Sequence, residues 1–230
     1  MFKSSYNLIL IAMLVFACND KPKTTEQVAP SGETASKNTE IVETKKKKKV
    51  ILFFGDSLTA GYGLADEGQS FPSLIQDRID SLSMEYTVVN AGLSGETTSG
   101  GLNRIDWILK QDIDIFVLEL GANDMLRGLD VNETSKNLKA IMEKVKTKNP
   151  EVQFIIAGMI APPNMGQEYG AAFAKIFKNL SKEYNAGLIP FLLDNVGGIP
   201  DLNLPDGKHP NSEGQKIVRE NVWAVLKDYL

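Results

Sequence analysis

Two stretches that lie far apart in the sequence carry residues able to perform nucleophilic chemistry together. Ser57 stands in a Gly-Asp-Ser-Leu stretch directly after the apolar run 50–54, and His209, the only histidine, stands in Asp-Gly-Lys-His-Pro. A serine hydroxyl is a poor nucleophile until a base takes its proton, and imidazole accepts and releases protons near neutral pH. Asp206, three residues before His209, can accept the second imidazole N–H. We therefore predict acyl transfer, with Ser57 as nucleophile, His209 as base and Asp206 orienting the base.

Attack on an acyl carbonyl creates an oxyanion, which must be met by preorganised hydrogen-bond donors. The backbone N–H of Ser57, the backbone N–H of Gly95 and the side-chain amide of Asn123 can supply three. Gly95 follows the second apolar run of the sequence and Asn123 follows the third. Glycine suits the second position because it lets the backbone approach a substrate closely. We predict an oxyanion hole formed by these three residues.

Each of these residues also has a commoner structural role. Ser57 could cap a helix, Asn123 and Asp206 could form turns, and a lone histidine is more often structural than catalytic. The glycine-rich stretch 92–101 could bind phosphate, but it lacks the spacing of a phosphate-binding loop. The Gly-x-Ser-x-Gly signature of α/β-hydrolases is also absent. If these roles were purely structural, all these residues would share one edge of the predicted sheet by chance. We therefore favour catalysis, and we give a structural role only to Asp56.

Apolar runs alternate with amphipathic stretches from residue 50 onward, which is typical of repeated βα units. The predicted strands are Val50–Phe54, Tyr86–Asn90, Ile113–Leu120, Gln153–Gly158 and Leu188–Leu192. The predicted helices lie near 71–83 and 99–110 and over the apolar repeats at 138–145, 173–180 and 218–229. A capping box of Ser212 and Gln215 is expected to start the last helix. We predict a three-layer α/β/α fold around about five parallel strands, with ligands beyond the strands' carboxyl ends.

The composition limits the other classes of function. The chain has 230 residues, 43% of them hydrophobic, and a net charge of −4. These values suit one α/β domain with a full core and argue against nucleic-acid binding. One cysteine and one histidine are too few for a structural zinc site, and no EF-hand spacing occurs. We expect no metal and no other cofactor, and a small-molecule or lipid ester as the partner.

The amino-terminal end is typical of an exported protein. Residues 1–17 combine Lys3 with an apolar run from Leu8 to Phe16 that is too short to span a bilayer, as in a signal peptide. The run ends in Val-Phe-Ala before Cys18, the only cysteine, which resembles a bacterial lipobox. A plain signal peptide with a chance cysteine is the alternative. We predict that Cys18 is lipidated and anchors the protein to a bacterial cell-envelope membrane, on its periplasmic or surface side.

Residues 18–49 connect this cysteine to the predicted domain. They are rich in Thr, Ser, Glu, Lys and Pro and lack aromatic residues, so we predict a disordered tether. The lysine run 45–49 ends the tether, either as a solvated linker, which we favour, or in contact with anionic lipid headgroups. The catalytic domain is then predicted over residues 50–230.

Four stretches of the sequence resemble the blocks of the GDSL or SGNH hydrolase family, which centre on Ser, Gly, Asn and His. They occur in the family's order and together cover about residues 50–230: Gly55–Tyr62, Val88–Ala91 with Ser94–Thr97, Glu119–Asp124 and Asp206–Asn211. Within the family, the chain most resembles the bacterial thioesterase I/lysophospholipase L1 branch of multifunctional arylesterases. The resemblance implies the flavodoxin-like SGNH hydrolase fold and an acyl-enzyme esterase without a cofactor. It implies functional roles for Ser57, Gly95, Asn123, Asp206 and His209, and it favours Gly95 over Gly92 as the donor.

The resemblance also implies that two loops line an acyl pocket. The loop 124–129 contains Met125 and Leu126, and the loop 162–166 contains Met165; ordinary surface loops are the alternative. The expected activity is hydrolysis of carboxylic or thio esters, such as lysophospholipids, acyl thioesters or aryl esters. Two alternatives stay open, namely removal of acetyl groups from carbohydrates and ligand binding by a lipoprotein that has lost catalysis.

Overall fold

A single parallel sheet forms the centre of the protein, whose computed structural model describes residues 47–230. Over those residues the sheet has five strands in the order β2-β1-β3-β4-β5, and every neighbouring pair is parallel. The strands are β1 (Lys49–Gly55), β2 (Tyr86–Gly92), β3 (Ile115–Glu119), β4 (Gln153–Ala157) and β5 (Gly187–Ile189). This is the flavodoxin-like order, in which ligands bind where the order reverses, at the carboxyl ends of β1 and β3.

Seven α-helices accompany the strands over the same residues. They are α1 (Ser57–Ala60), α2 (Phe71–Ser81), α3 (Thr98–Ile108), α4 (Ala122–Leu126), α5 (Val131–Lys148), α6 (Gln167–Tyr184) and α7 (Ser212–Leu226). Each apolar repeat singled out in the sequence lies on one of the last three helices, although Tyr229 falls in a short 3-10 turn after α7. The predicted alternation of strands and helices is therefore confirmed.

Alternate residues of the strands face two separate apolar cores. Phe54 and Phe116 belong to the core that the apolar sides of α3, α5 and α6 complete. Phe53 and Val117, one position along each strand, belong to the core completed by α2 and α7. Helices on both faces explain why the strands are apolar nearly throughout. The predicted three-layer α/β/α architecture is confirmed, and it fixes the carboxyl edge of the sheet as the place where β1, β2 and β3 deliver their loops.

Two details of the sequence prediction are wrong. β5 ends at Ile189 rather than Leu192, because Pro190 has no N–H to continue the ladder. The residue that caps α7 is Asn211, whose Oδ1 accepts hydrogen bonds from N of Glu213 and N of Gly214, and not Ser212. Gln215 does not complete a capping box; its Oε1 accepts a hydrogen bond from N of Phe71 at 2.9 Å and so ties α7 to α2.

The end of the lysine run, residues 47–49, belongs to the described domain, so the predicted boundary at residue 50 is too late. Lys49 opens β1, and Nζ of Lys47 lies 2.5 Å from Oδ2 of Asp112. The signal peptide, Cys18 and the tether up to residue 46 lie outside the described residues, so their predictions stay predictions. None of the helices in residues 47–230 combines the length and hydropathy of a membrane span.

Candidate active site

The turn that joins β1 to α1 positions Ser57. β1 ends at Gly55 in the interior of the sheet, and Oδ1 of Asp56 caps α1 by accepting a hydrogen bond from N of Leu58 at 3.0 Å. Ser57 is thus the first residue of α1. A Cβ atom at Gly55 would lie 2.2 Å from Oγ1 of Thr59, so this tight turn requires glycine there. The turn delivers the Ser57 hydroxyl to the carboxyl edge of the sheet, as the sequence predicts.

His209 lies between the two partners that the sequence proposes for it. Its Nε2 is 2.8 Å from Oγ of Ser57, and its Nδ1 is 2.6 Å from Oδ2 of Asp206. When Nδ1–H donates to the carboxylate, Nε2 keeps a lone pair directed at the hydroxyl. The ring of Tyr62 covers the imidazole, with 4.7 Å between the ring centroids. The structure therefore brings Ser57, Asp206 and His209 into one hydrogen-bonded array.

Asp206 combines two roles that the sequence leaves as alternatives. Its Oδ1 accepts hydrogen bonds from N of Lys208 at 2.9 Å and N of His209 at 3.1 Å, which closes the turn before α7. Its Oδ2 faces the imidazole. The backbone N–H of Lys208 and then the imidazole of His209 lower the pKa of Asp206 to about 2. The carboxylate therefore stays ionised near neutral pH and holds the imidazole in one tautomer.

The three predicted oxyanion donors line one cavity at the same edge. Gly95 lies in the loop between β2 and α3 with φ of +80°, a conformation that favours glycine. Asn123 lies in the first turn of α4, and its Nδ2 donates one hydrogen to Oδ2 of Asp56 at 3.0 Å. Nη2 of Arg127 donates to the carbonyl of Gly95 at 3.0 Å. Within the described part of the chain, one amide hydrogen of Asn123 is available to a ligand, together with the N–H groups of Ser57 and Gly95.

An ion pair between the buried Glu96 and the partly buried Arg104 fixes the loop that carries Gly95. Nη2 of Arg104 lies 2.5 Å from Oε2 of Glu96, whose side chain is only 3% exposed. The same guanidinium donates to the carbonyl of Ala91 at 3.0 Å and lies 4.4 Å from the ring of Phe54. The loop is therefore attached both to β2 and to the core beneath it.

Two buried carboxyl groups lie beneath the turn after β1. Oε2 of Glu119, which is 0% exposed, accepts hydrogen bonds from N of Asp56 at 3.2 Å and from Oγ1 of Thr59 at 2.7 Å. Among the described residues, Oε1 of Glu119 has no hydrogen-bond partner. Burial, and then the charge of Asp56, raises the pKa of Glu119 well above its ordinary value. Burial also raises the pKa of Asp56 to about 6, against the hydrogen bond from Leu58. The family block Glu119–Asp124 contains this residue, but its buried role is not predicted above, although an acid inside the apolar run 115–120 is a visible signal.

An apolar cavity of about 590 Å³ opens beside Ser57. Met125 and Leu126, which the family resemblance places beside an acyl pocket, are among its lining residues. The opposite loop contributes Pro162 and Pro163. Met165, at the end of the 3-10 turn Pro163–Met165, is not among the lining residues, so its predicted place in the pocket wall is wrong. Further apolar lining comes from Met159, Ile160, Phe191 and Leu192. Within residues 47–230, no cluster of three or more His, Cys, Asp or Glu side chains could hold a metal ion.

The strand order β2-β1-β3-β4-β5 reverses between β1 and β3, and Ser57 and His209 are paired at that point. This fold and this pair together define a serine ester hydrolase with an α/β/α fold. The chain belongs to the GDSL-like Lipase/Acylhydrolase family, whose sequence profile matches residues 53–217. The family predicted from the four sequence blocks is therefore confirmed.

Curated relatives share this domain over most of their length. Esterase TesA of Pseudomonas aeruginosa is 36% identical over 183 residues, which cover 79% of this chain and 90% of the relative. The arylesterase of Vibrio mimicus is 35% identical over 181 residues, 78% of this chain and 89% of the relative. Thioesterase 1/protease 1/lysophospholipase L1 of Escherichia coli K12 is 37% identical over 171 residues, 74% and 79% of the two chains.

Solved structures agree with these sequence relations. The crystal structure of TesA matches with a TM-score of 0.75 at 34% identity, covering 79% of this chain and all (100%) of that one. The psychrotrophic esterase EstA from Pseudoalteromonas, inhibited by monoethylphosphonate, matches with a TM-score of 0.74 at 33% identity, covering 79% and 98%. The SGNH hydrolase fold and the serine ester hydrolase class are thus both confirmed for this chain.

Proposed function

We propose that the enzyme hydrolyses carboxylic and thio esters of apolar acyl groups through an acyl-enzyme on Ser57. The observation that carries the proposal is the 2.8 Å distance between Nε2 of His209 and Oγ of Ser57, at the mouth of an apolar cavity. A hydroxyl held against an imidazole that is itself held by a carboxylate is an activated nucleophile.

In the first half of the reaction, His209 takes the proton of Ser57 as Oγ attacks the acyl carbonyl. The developing oxyanion accepts hydrogen bonds from N–H of Ser57, N–H of Gly95 and the free amide hydrogen of Asn123. The imidazolium then passes its proton to the leaving alcohol or thiol, and the acyl group remains on Oγ. Asp206 stays ionised throughout and stabilises the positive charge on His209.

In the second half, His209 takes a proton from water, and the hydroxide attacks the acyl carbonyl from the side that the alcohol has left. The tetrahedral intermediate uses the same three donors, because the same oxygen becomes negative again. His209 returns the proton to Oγ of Ser57 as the acid departs. No metal or organic cofactor takes part in this proposal.

The cavity supports acyl chains or aromatic groups as the acid portion of the substrate. Its walls from Met125, Leu126, Met159 and Ile160 are apolar, and burial of each methylene contributes about 0.8 kcal/mol. An arylesterase and a thioesterase 1/lysophospholipase L1 are among the relatives, which supports aryl esters, acyl thioesters and lysophospholipids as candidates. The hydroxyls of an acetylated carbohydrate would lose water and gain few hydrogen bonds against these apolar walls, so we place that alternative second.

The test is covalent labelling with a fluorophosphonate, followed by a panel of p-nitrophenyl esters from acetyl to dodecanoyl, a lysophospholipid, an acyl thioester and an acetylated sugar. Ser94 also lines the cavity and provides a matched control. We expect Ser57→Ala to lose labelling and to lose at least about 10⁴-fold in kcat, whereas Ser94→Ala keeps both within about threefold. Labelling or turnover retained by Ser57→Ala would falsify the mechanism; preference for the acetylated sugar would select the second alternative.

We also propose that the enzyme acts while attached to a bacterial cell-envelope membrane through lipid on Cys18. The support is the sequence alone, in which the only cysteine directly follows a short apolar run. Cys18→Ser is expected to move the protein from the detergent phase to the aqueous phase in Triton X-114 partitioning and to abolish incorporation of radioactive palmitate. The proposal is contradicted if Cys18→Ser partitions like the parent protein and the parent protein incorporates no palmitate.

A further inference from the structure

Asp56 makes one hydrogen bond more than a helix cap needs. Its Oδ1 caps α1 through N of Leu58, and its Oδ2 accepts from Nδ2 of Asn123 on a different element, 67 positions away. Asp66 provides a comparison, because its Oδ1 caps a 3-10 turn through N of Gly68 at 2.8 Å and, within residues 47–230, its side chain bonds no other element. Asp66 is exposed, whereas Asp56 is 1% exposed. The second oxygen of Asp56 is therefore committed to Asn123.

A carboxylate fixes the direction of an amide group. The side chain of Asn123 can lie in two orientations that exchange its oxygen and its NH₂ group, and only the NH₂ group can donate to an oxyanion. A carboxylate accepts hydrogen bonds and donates none, so the orientation with the NH₂ group towards Asp56 is stabilised and the reversed one places two oxygens together. In the stabilised orientation, the second amide hydrogen is available for the cavity that Asn123 lines.

Glu119 holds Asp56 from behind. Its Oε2 binds N of Asp56 and the hydroxyl of Thr59, so the backbone of the turn and the first turn of α1 share one fixed oxygen. Burial raises the pKa of Glu119 well above its ordinary value and disfavours a charge there, which favours Asp56 as the ionised acceptor that faces Asn123. The ionisable groups that act on Asp56 are His209, which favours its ionised form, and Glu96 and Glu119, which oppose it.

We propose that Asp56 is a positioning residue that aims the oxyanion donor Asn123, and that Glu119 and Thr59 hold Asp56 in place for this purpose. The proposal rests on the proposed function, because it assigns Asp56 an effect on the rate through Asn123. This role differs from structural support of the Ser57 turn. A residue that only supports the turn would affect kcat equally with and without Asn123.

The first variant is Asp56→Ser, because serine caps helices well but is too short to reach Asn123. We expect kcat for a soluble p-nitrophenyl ester to fall by 10-fold or more, up to the roughly 10²–10³-fold that loss of one oxyanion donor causes. KM is expected to change by less than about threefold, because the donor acts on the transition state. The matched control Asp66→Ser, at an equivalent cap, is expected to keep kcat within about twofold.

A double-mutant cycle then separates aiming from bracing. In an Asn123→Ala background, Asp56→Ser is expected to cost less than about twofold in kcat, because the donor that it aims is already gone. An equal loss in both backgrounds overturns the proposal and leaves Asp56 as a brace. An unchanged kcat in the single variant overturns it as well.

Two further measurements keep these outcomes distinct. If Asp56→Ser does not fold, as judged by circular dichroism and urea unfolding, the same cycle is run with Asp56→Asn, which fills the original volume. Ser57→Ala is measured beside them. If Ser57→Ala loses turnover while Asp56→Ser keeps the full rate, this inference is overturned and the proposed function stands. A full rate in Ser57→Ala overturns this inference together with the proposed function.

Discussion

Nε2 of His209 lies 2.8 Å from Oγ of Ser57 although 152 positions separate the two residues. The sheet creates this contact, because β1 carries Ser57 to its carboxyl edge and the turn before α7 brings His209 to the same edge. Oδ2 of Asp206 lies 2.6 Å from the other side of the imidazole. The array is therefore completed by a residue from the same turn, and its geometry depends on how that turn is closed.

Asp206→Asn is expected to reduce kcat by about 10³–10⁴-fold at neutral pH, because the amide no longer selects the tautomer whose Nε2 can accept the serine proton. The pKa of about 2 for Asp206 means that the parent enzyme keeps its carboxylate ionised at any pH at which it works. Steady-state kinetics with p-nitrophenyl butyrate provide the measurement. The control is Asp201→Asn, an exposed acid in the preceding 3-10 turn whose backbone carbonyl, not its side chain, binds Asn211. Comparable losses in the two variants contradict the role of Asp206.

The ratio of kcat in the parent enzyme to kcat in Asn123→Ala is expected to fall as the pH falls. Asp56, with a pKa of about 6, becomes protonated over this range and no longer faces the amide of Asn123 as an anion. We expect the ratio to fall at least about threefold between pH 7.5 and pH 5, because protonation of Asp56 has no oxyanion donor to disturb when Asn123 is absent. Steady-state kinetics with a p-nitrophenyl ester over this pH range measure the ratio. A ratio that is constant with pH rules out this coupling.

Glu119→Gln is expected to stabilise the protein increasingly as the pH rises. The pKa of Glu119 is raised on folding, so above its unfolded value the unfolded chain loses the proton while the folded protein keeps it, and stability falls with increasing pH. Glutamine removes this penalty, which grows by at most about 1.4 kcal/mol per pH unit, and its oxygen can still accept from Thr59 and Asp56. Urea unfolding of both proteins at pH 5 and pH 8 measures the difference. A difference that is constant with pH, or that favours the parent at pH 8, goes against a neutral Glu119.

Leu126→Ala is expected to shorten the acyl preference. Leu126 lines the cavity while 52% of its surface stays exposed, so truncation removes about 1 kcal/mol of contact with a long chain. We expect kcat/KM to fall about fivefold for octanoyl esters and less than twofold for acetyl esters. Leu82→Ala removes a similarly exposed leucine at the end of α2, outside the cavity lining. We expect it to leave kcat/KM unchanged for both octanoyl and acetyl esters. If Leu126→Ala affects short and long esters equally, the loop that carries Leu126 does not contact the acyl chain.

Glu96→Ala is expected to reduce the free energy of unfolding by about 3 kcal/mol, because it leaves the partly buried guanidinium of Arg104 without its carboxylate. Asp112→Ala, which breaks the exposed pair with Lys47, is expected to cost less than about 1 kcal/mol. Both values come from urea unfolding at pH 7. If the two substitutions cost the same, the Arg104–Glu96 pair does not anchor the Gly95 loop.

The sequence predicts the sheet and the candidate site because both depend on local signals. Apolar runs flanked by glycine mark β1, β2 and β3, and the rule that parallel strands end at one edge brings Ser57 and Asn123 to the same rim. The single histidine leaves no choice of base. The end of β5 is predictable in principle as well, since Pro190 stands in the sequence and interrupts the ladder.

Other features depend on contacts between distant residues and leave little trace in the sequence. Whether Asn211 or Ser212 caps α7 is decided by backbone geometry, because both residue types are good caps. Met165 and Pro163 lie in one short 3-10 turn, and the spacing in the sequence does not tell which of them lines the cavity. The bond between Asp56 and Asn123 joins two motifs that each have a complete local explanation, so nothing in the sequence requires it.

β1 enters the sheet at Lys49 and leaves it next to Ser57, so the amino-terminal attachment point and the reactive hydroxyl lie at opposite edges, roughly 20 Å apart along the strand. An enzyme coupled to a bead, an electrode or a fusion partner directly at the exposed Lys47 is therefore held by the edge opposite the active site. Immobilisation from this end leaves the mouth of the cavity pointing away from the support. Coupling through lysines near the rim, such as Lys208, would instead turn the mouth towards it.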